Sequence, residues 1–391
     1  MISQIKFTSP FFKVNLFVLI GFLVVFQNGL LAQEEQNTGE KVHQEFESKL
    51  DNSPTHPNES IQLFPTLFYT PETNFGFGAG GLAIFKTTHG DSVLKNSFVS
   101  LSANYTLNKQ FLVSIKHEIN FHRNYLVRGE FSFYKYPDVY AGYGNNHTGE
   151  TFELFNATYP RIKLDVLIRS KRTYIYGIRY SYQNTTMKHT EPNGVLENEQ
   201  PVGYQGSVNS SLGIVLNYDS RNYIYAPTKG WYSEVSLSIS DPLIGATFKD
   251  QLFLIDIRKY IPLFKKHVVA IQFANEIHFG SPAFNHTAII GGEYNMRGYR
   301  YGIFRDLNSY VVQTEFRSSR FLQYFSAAAF GSIGGVGHDY LDTYKNTRIA
   351  YGIGLWVYPQ PEKRLFVRFD YGQGYEPKLS HGFYVSMGNA F

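Results

Sequence analysis

The residues in this chain best suited to chemistry are not a catalytic set but a tetrad, Met296-Arg297-Gly298-Tyr299. Its chemistry is recognition. An Arg followed by Gly lets the backbone turn closely beneath a guanidinium, whose fork can grip a carboxylate elsewhere. The tetrad lies in the longest connection of the chain, 280–307, and a loop of about 28 residues far exceeds an ordinary hairpin, so it is either functional or disordered. Phe284, Ile289, Ile290, Gly291, Gly292, Tyr294, Tyr299, Tyr301 and Phe304 argue for order, because disordered segments lack the apolar surface that offsets ordering entropy. The loop is therefore expected to fold back onto the rest of the molecule.

Other reactive spacings carry less. Glu276 and His278 share one strand face, but no third metal ligand follows from spacing, so a polar interior lining is the preferred reading and no metal is expected. Gly76-Phe77-Gly78-Ala79-Gly80-Gly81 satisfies G-x-G-x-x-G, yet that fingerprint requires a following helix and Leu82-Ala83-Ile84-Phe85 follows instead. Glycines inside a strand are better read as permitting curvature or close approach. No G-x-S-x-G elbow is present. With no catalytic constellation legible, neither an enzyme nor a cofactor is expected.

The elements that must position the tetrad are strands. Leu365, Val367, Phe369 and Tyr371 alternate with Arg364, Phe366, Arg368 and Asp370, and Tyr174, Tyr176, Ile178, Tyr180 and Tyr182 alternate with Thr173, Ile175, Gly177, Arg179 and Ser181. Apolar residues on one face with polar or small ones on the other mark a lipid-facing barrel wall. This period predicts sixteen strands, near 62–69, 75–86, 95–106, 109–121, 124–136, 148–169, 172–189, 204–218, 230–241, 246–260, 265–279, 308–317, 322–335, 346–358, 362–374 and 381–391. An even number suits a bacterial single-chain barrel. With both ends in the periplasm, most long connections (137–147, 190–203, 280–307, 336–345) fall on the external side, the connection from Asp219 to Lys229 being the exception. The predicted fold class is all-β, a 16-stranded antiparallel transmembrane β-barrel of the bacterial outer membrane, with a long external loop folded into the lumen.

Composition agrees with that reading. Aromatics reach 17%, with 30 Tyr and 34 Phe, while mean hydropathy stays at −0.25, a combination that aromatic girdles around a polar interior would produce. There are no Cys, and a net charge of +4 is too small to argue for nucleic acid. Lys6 and Lys13, an apolar stretch from Val14 to Phe26 and the small Ala32 have the order of a secretory signal peptide. The expected organisation is a signal peptide over 1–32, a flexible periplasmic tail over 33–61 and the barrel over 62–391.

The tetrad, the strand count and the terminal aromatic Phe391 together resemble one family, the bacterial surface antigen barrels of the outer-membrane protein assembly and translocation superfamily, the BamA/TamA-like proteins. Met296-Arg297-Gly298-Tyr299 is similar to the family's Val-Arg-Gly-Phe/Tyr motif, between the eleventh and twelfth strands. Gly291-Gly292 fits its approach. Asp219-Ser220-Arg221 with Ala226-Pro227-Thr228-Lys229-Gly230-Trp231-Tyr232 resembles a family hairpin, and Tyr136-Pro137-Asp138 with Gly142-Tyr143-Gly144-Asn145 another of its loops. The resemblance spans roughly 62–391. Two departures stand out. The tail has no room for polypeptide-transport-associated domains, and Phe330-Gly331-Ser332-Ile333-Gly334 carries Ser332 where the family typically has an Asp that helps hold the motif Arg. Arg297 then needs another acceptor, Asp370 first because its face points inward, or Glu315.

The resemblance implies an assembly-factor barrel acting in outer-membrane protein insertion, translocation or envelope biogenesis with a separate periplasmic partner. Outer-membrane lipid, periplasmic or outer-membrane assembly proteins and unfolded barrel clients are the expected partners. It also implies a weak seam between the first strand, with Phe64 and Pro65, and the last, with Ser386 and Phe391. Pro65 removes one ladder donor there. The alternatives are a passive or partly plugged pore and a non-catalytic scaffold subunit of an outer-membrane complex.

Overall fold

The computed structural model describes residues 60–391 apart from 72, 88–95, 146–151, 171–172, 190–193, 224–225, 346, 361–364, 376–379 and 388–390. The stretches expected to be a signal peptide (1–32) and, but for its last two residues, a tail (33–61) lie outside the described residues. The barrel strands are β1 (Ser60–Thr70), β2 (Asn74–Phe85), β3 (Ser97–Thr106), β4 (Phe111–His122), β5 (Tyr125–Tyr140), β6 (Glu153–Ser170), β7 (Tyr174–His189), β8 (Gly206–Asp219), β9 (Gly230–Ser240), β10 (Asp250–Leu263) and β11 (His267–His278). After the long loop, which holds β12 (Ala288–Ile290) and β13 (Phe304–Asp306), come β14 (Asn308–Arg317), β15 (Phe325–Gly337), β16 (Arg348–Gln360), β17 (Leu365–Gly374) and β18 (His381–Met387). Sixteen of them close one antiparallel barrel, while β12 and β13 form a separate two-stranded ladder. No described helix is long and apolar enough to cross a membrane.

Alternation decides which way each side chain points. Ile349, Tyr351, Ile353 and Leu355 of β16 face outward and exposed, whereas Ala350 and Trp356 on the alternate face are buried. An outward apolar set of this kind is suited to contact with lipid, and closure pairs the strand edges of the wall most fully away from the β1–β18 contact. Bulky aromatics cluster toward strand ends, as in the Tyr174–Tyr218 pair with ring centroids 5.0 Å apart. The G-x-G-x-x-G stretch lies wholly within β2, and the Phe68 ring lies over Gly76 so closely that a Cβ there would come within 2.2 Å of it.

Three local expectations are corrected. β5 runs on to Tyr140, with Pro137 paired to Asn156 of β6, so 137–140 is strand and not loop. The last residue of β5 paired to β4 is Lys135, so Pro137 sits where its missing N–H has no second neighbour to serve. The connection 190–203 carries a short helix, Val195–Glu199. The described part of the last strand runs from His381 to Met387, and Phe391 packs inside against Tyr260, Val268 and Ala270 of β10 and β11. A terminal aromatic finds a dry apolar contact there in place of one at the seam.

Among the described residues the seam is sparse. Among the described residues β1 and β18 share one register pair, Tyr69↔Val385, whereas β1 pairs with β2 along its whole length from Ser60↔Ile84 to Thr70↔Asn74. That antiparallel register puts Ser386 opposite Phe68, not opposite Phe64. Pro65 pairs with Ala79 of β2.

Candidate functional site

The long loop folds into the barrel. Two features turn it inward. The β12–β13 ladder, with Ala288↔Asp306 and Ile290↔Phe304, closes its base. Gly291 and Gly292, both at positive φ (110° and 81°), then reverse the chain toward the tetrad, with Gly291 N–H donating to the Asn295 carbonyl at 2.5 Å and Gly292 N–H to Tyr299 at 2.8 Å. Met296, Tyr299, Ile290, Ile303 and Phe304 from the loop pack with Val311, Val336 and Ala350 of the wall and with Val139 and Ala141 at the end of β5. Ten residues of this cluster are buried, so the loop is part of the core. Its outer part is pinned by Arg305, which donates to the Val139 carbonyl at 2.6 Å and the Phe284 carbonyl at 3.0 Å, while Gly144 N–H donates to the Arg305 carbonyl at 2.8 Å. Inside that outer part, burial pushes the His286 imidazole down to about 3, aided by the positive fields of His278 and Arg161.

At the tetrad the backbone meets the wall without side chains between them. A Cβ on Gly298 (φ +113°) would come within 2.8 Å of the Gln373 backbone, and one on Gly372 within 2.8 Å of Gly298 N. Gly298 N–H donates to the Tyr384 hydroxyl of β18 at 3.2 Å, and the Tyr299 hydroxyl donates to the Ile349 carbonyl of β16 at 3.0 Å.

The Arg297 side chain reaches across the lumen and is 1% exposed. One terminal nitrogen donates to Asp370 of β17 and the other to Glu315 of β14. Its guanidinium lies 3.6 Å above the centre of the Phe330 ring of β15, a cation–π contact with no water between. Each carboxylate serves a second guanidinium: Arg317 Nε donates to Glu315 at 2.8 Å, and Arg368 donates to Asp370 at 2.7 Å. Arg368 also reaches Glu293 of the loop at 2.7 Å and the Ser386 hydroxyl of β18 at 2.6 Å. Three guanidiniums thus face three carboxylates in a charge-balanced network joining β14, β17, β18 and the loop. Pairing of this kind is what makes burial of so many charges tolerable.

Of the residues nominated from the sequence, Arg297, Asp370 and Glu315 meet in the lumen and Met296, Gly298 and Tyr299 dock beside them. Ser332 does not join them, its hydroxyl donating to the Ala350 carbonyl at 3.4 Å. Ser386 belongs to the network, Pro65 lies on the exposed outer face, and Phe391 lies away from the seam. Sequence reasoning missed Arg317, Arg368, Glu293 and Phe330. The signal for two of them was present, since Arg317 and Arg368 sit two residues from Glu315 and Asp370 and so share their inward faces. His278, weighed as a metal ligand with Glu276, is held between Asp250 at 2.6 Å and Glu276 at 3.2 Å, which occupies both ring nitrogens.

Comparison with known proteins accords with this geometry. The structure is similar to BamA from Haemophilus ducreyi lacking POTRA domains 1–3, with TM-score 0.57 and 15% identity over 85% of this chain and 70% of that one. It is also similar to CdiB from Acinetobacter baumannii (TM-score 0.52, 11% identity, 84% of this chain and 65% of that) and to CdiB from Escherichia coli (TM-score 0.53, 11% identity, 85% and 64%). The chain therefore spans less than two thirds of either CdiB. At such identities the likeness shows the fold. No curated protein matches the sequence. The family model of the Omp85 superfamily domain matches residues 95–391, beginning just ahead of β3, and the chain belongs to the Omp85 superfamily.

Proposed function

We propose that this chain is an outer-membrane barrel of the assembly-factor type, acting in the insertion or translocation of outer-membrane proteins together with a protein partner. The observation that carries the reading is the contrast, among the described residues, between one register pair at the β1–β18 seam and the full ladder from Ser60 to Thr70 on the other side of β1. An unpaired strand edge in lipid is costly, so a sparse seam is an edge that an incoming strand can complete. The network supports this reading from within. By tying β18 through Ser386 and β17 through Asp370 to the docked loop, it holds the last strand in place independently of β1. Family membership supports the same class, and the reading places the barrel in the outer membrane with both ends in the periplasm.

Purification from outer membranes under mild detergent, followed by mass spectrometry of what accompanies the barrel, tests the proposal. Periplasmic assembly proteins or unfolded barrel clients are the expected companions. A barrel that comes away alone and conducts ions would replace this reading with a plugged pore.

A further inference from the structure

We propose that the lumen carries a binding site for a small oxyanion, formed by Lys116 of β4 with Arg161 and Lys163 of β6. Strand register brings them together: Lys116 lies opposite Glu130 of β5, and Glu130 lies opposite Lys163. Neighbouring strands are ~4.8 Å apart and alternate residues along one strand ~6.7 Å, so the three charged tips share one patch. The patch faces inward, because Ile115, Phe131 and Phe133, which alternate with these positions, are exposed on the outer wall.

The patch is short of negative charge. Glu130 is its one carboxylate, and its Oε1 accepts from the Ser132 hydroxyl at 2.8 Å and the Tyr134 hydroxyl at 3.3 Å. The next carboxylates along the wall are already committed. Asp165 is gripped by Arg179 at 2.7 Å and Arg128 at 2.8 Å, and Glu234 by the same two at 2.8 and 3.2 Å. Among the described residues no ion pair joins Lys116, Arg161 or Lys163 to a carboxylate. This contrasts with the charge-balanced network at Arg297, and with the Arg128–Asp165–Arg179–Glu234 cluster one row away. The charges of Arg161, Lys116 and Lys163 all act on the one carboxylate of Glu130, so three cations around a single anion leave the patch with a net positive charge that a bound oxyanion would balance.

Phenols complete the surroundings. The Tyr134 and Tyr159 rings lie 5.3 Å apart on the same wall, and the charge of Arg161 acts on Tyr159 and on Tyr301 of the docked loop. A planar guanidinium, two mobile ammoniums and hydroxyl donors suit phosphate or carboxylate oxygens. The inference stands apart from the assembly reading and survives its failure.

The test is calorimetric titration of the detergent-purified full chain with inorganic pyrophosphate and, separately, with citrate. Saturable binding that weakens as KCl is raised, and that falls about tenfold or more in Arg161→Gln/Lys163→Gln, is the expected result. The surface variant Lys249→Gln should bind as the parent does. Binding of pyrophosphate alone assigns a phosphoryl ligand, and equal binding of citrate widens the class to carboxylates. Absence of saturable binding at millimolar probe, or binding undiminished in the double variant, overturns the proposal. If that variant fails to fold, the exposed Lys116→Gln carries the test, with a loss of about threefold expected and no loss refuting it.

Discussion

Removing the Arg297 side chain should free the loop while leaving the wall standing. In Arg297→Ala, Glu315 keeps Arg317 and Asp370 keeps Arg368, but two guanidiniums then face three carboxylates, the fully buried Glu315 and Asp370 and the partly exposed Glu293. Breaking a buried ion pair costs about 3–5 kcal/mol. Because each orphaned carboxylate retains one cation, the lower end, about 3 kcal/mol, is the appropriate figure. The lost contact with the Phe330 ring adds to it. That energy shifts the balance between docked and released loop by roughly a hundredfold. Protease cleavage that samples a transiently open segment follows the open population, so cleavage within 280–307 should accelerate by about that factor. Limited proteolysis of the purified barrel with mapped cut sites reads the rate, and heat modifiability on gels reports whether the strands remain closed. Arg297→Lys should fall between, since an ammonium cannot fork onto two carboxylates on opposite strands. A cleavage rate within about twofold of the parent in Arg297→Ala would refute the idea that this network holds the loop.

Three other outcomes follow from the same geometry. Gly298→Ala combines a backbone at φ +113° with a Cβ 2.8 Å from Gln373, and should release the loop at a cost of at least about 2 kcal/mol by the same proteolysis assay. Arg368→Ala frees Ser386 and Glu293 together, and should lower the heat-modification temperature of the barrel by loosening β18 more than Arg317→Ala does. The His286 imidazole is held below its unfolded value near 6.5, so the unfolded loop binds more protons, and stability present above that value is lost as pH falls toward the folded value of about 3. At pH 5 the cost is about 2 kcal/mol, which proteolysis at pH 5 and 7 should show in the parent and not in His286→Phe.

The barrel was legible because its signal is local. Period-two alternation needs only neighbouring residues, and it located all sixteen strands that close the barrel. Where a local signal misled, tertiary context was the reason: Pro137 reads as a turn until the end of β4 leaves its backbone without a neighbour on that side. The β12–β13 ladder joins residues on either side of the tetrad and carries no periodicity of its own in three-residue strands. In the lumen the same alternation that turns Asp370 inward turns Arg368 inward. Their convergence on Arg297, 73 residues from Asp370, depends on closure of the barrel and could not be read from spacing. Phe330 illustrates the limit. As a type it reads as wall, and only the docked loop gives its ring a guanidinium to carry.

The central claim, that the β1–β18 seam opens to act on client strands, is tested most directly by locking it. The chain has no Cys, so Tyr69→Cys/Val385→Cys introduces one directly opposed pair on a clean background. Opposed residues in an antiparallel ladder lie within disulfide reach. The measurement is the accumulation of folded outer-membrane barrels in cells that depend on this protein, with oxidant and with reductant, against the lateral control Ala79→Cys/Ala103→Cys between β2 and β3. The account predicts that oxidation halts accumulation in the seam variant, that reductant restores it, and that the control is indifferent. Undiminished accumulation with the seam fully crosslinked would contradict it.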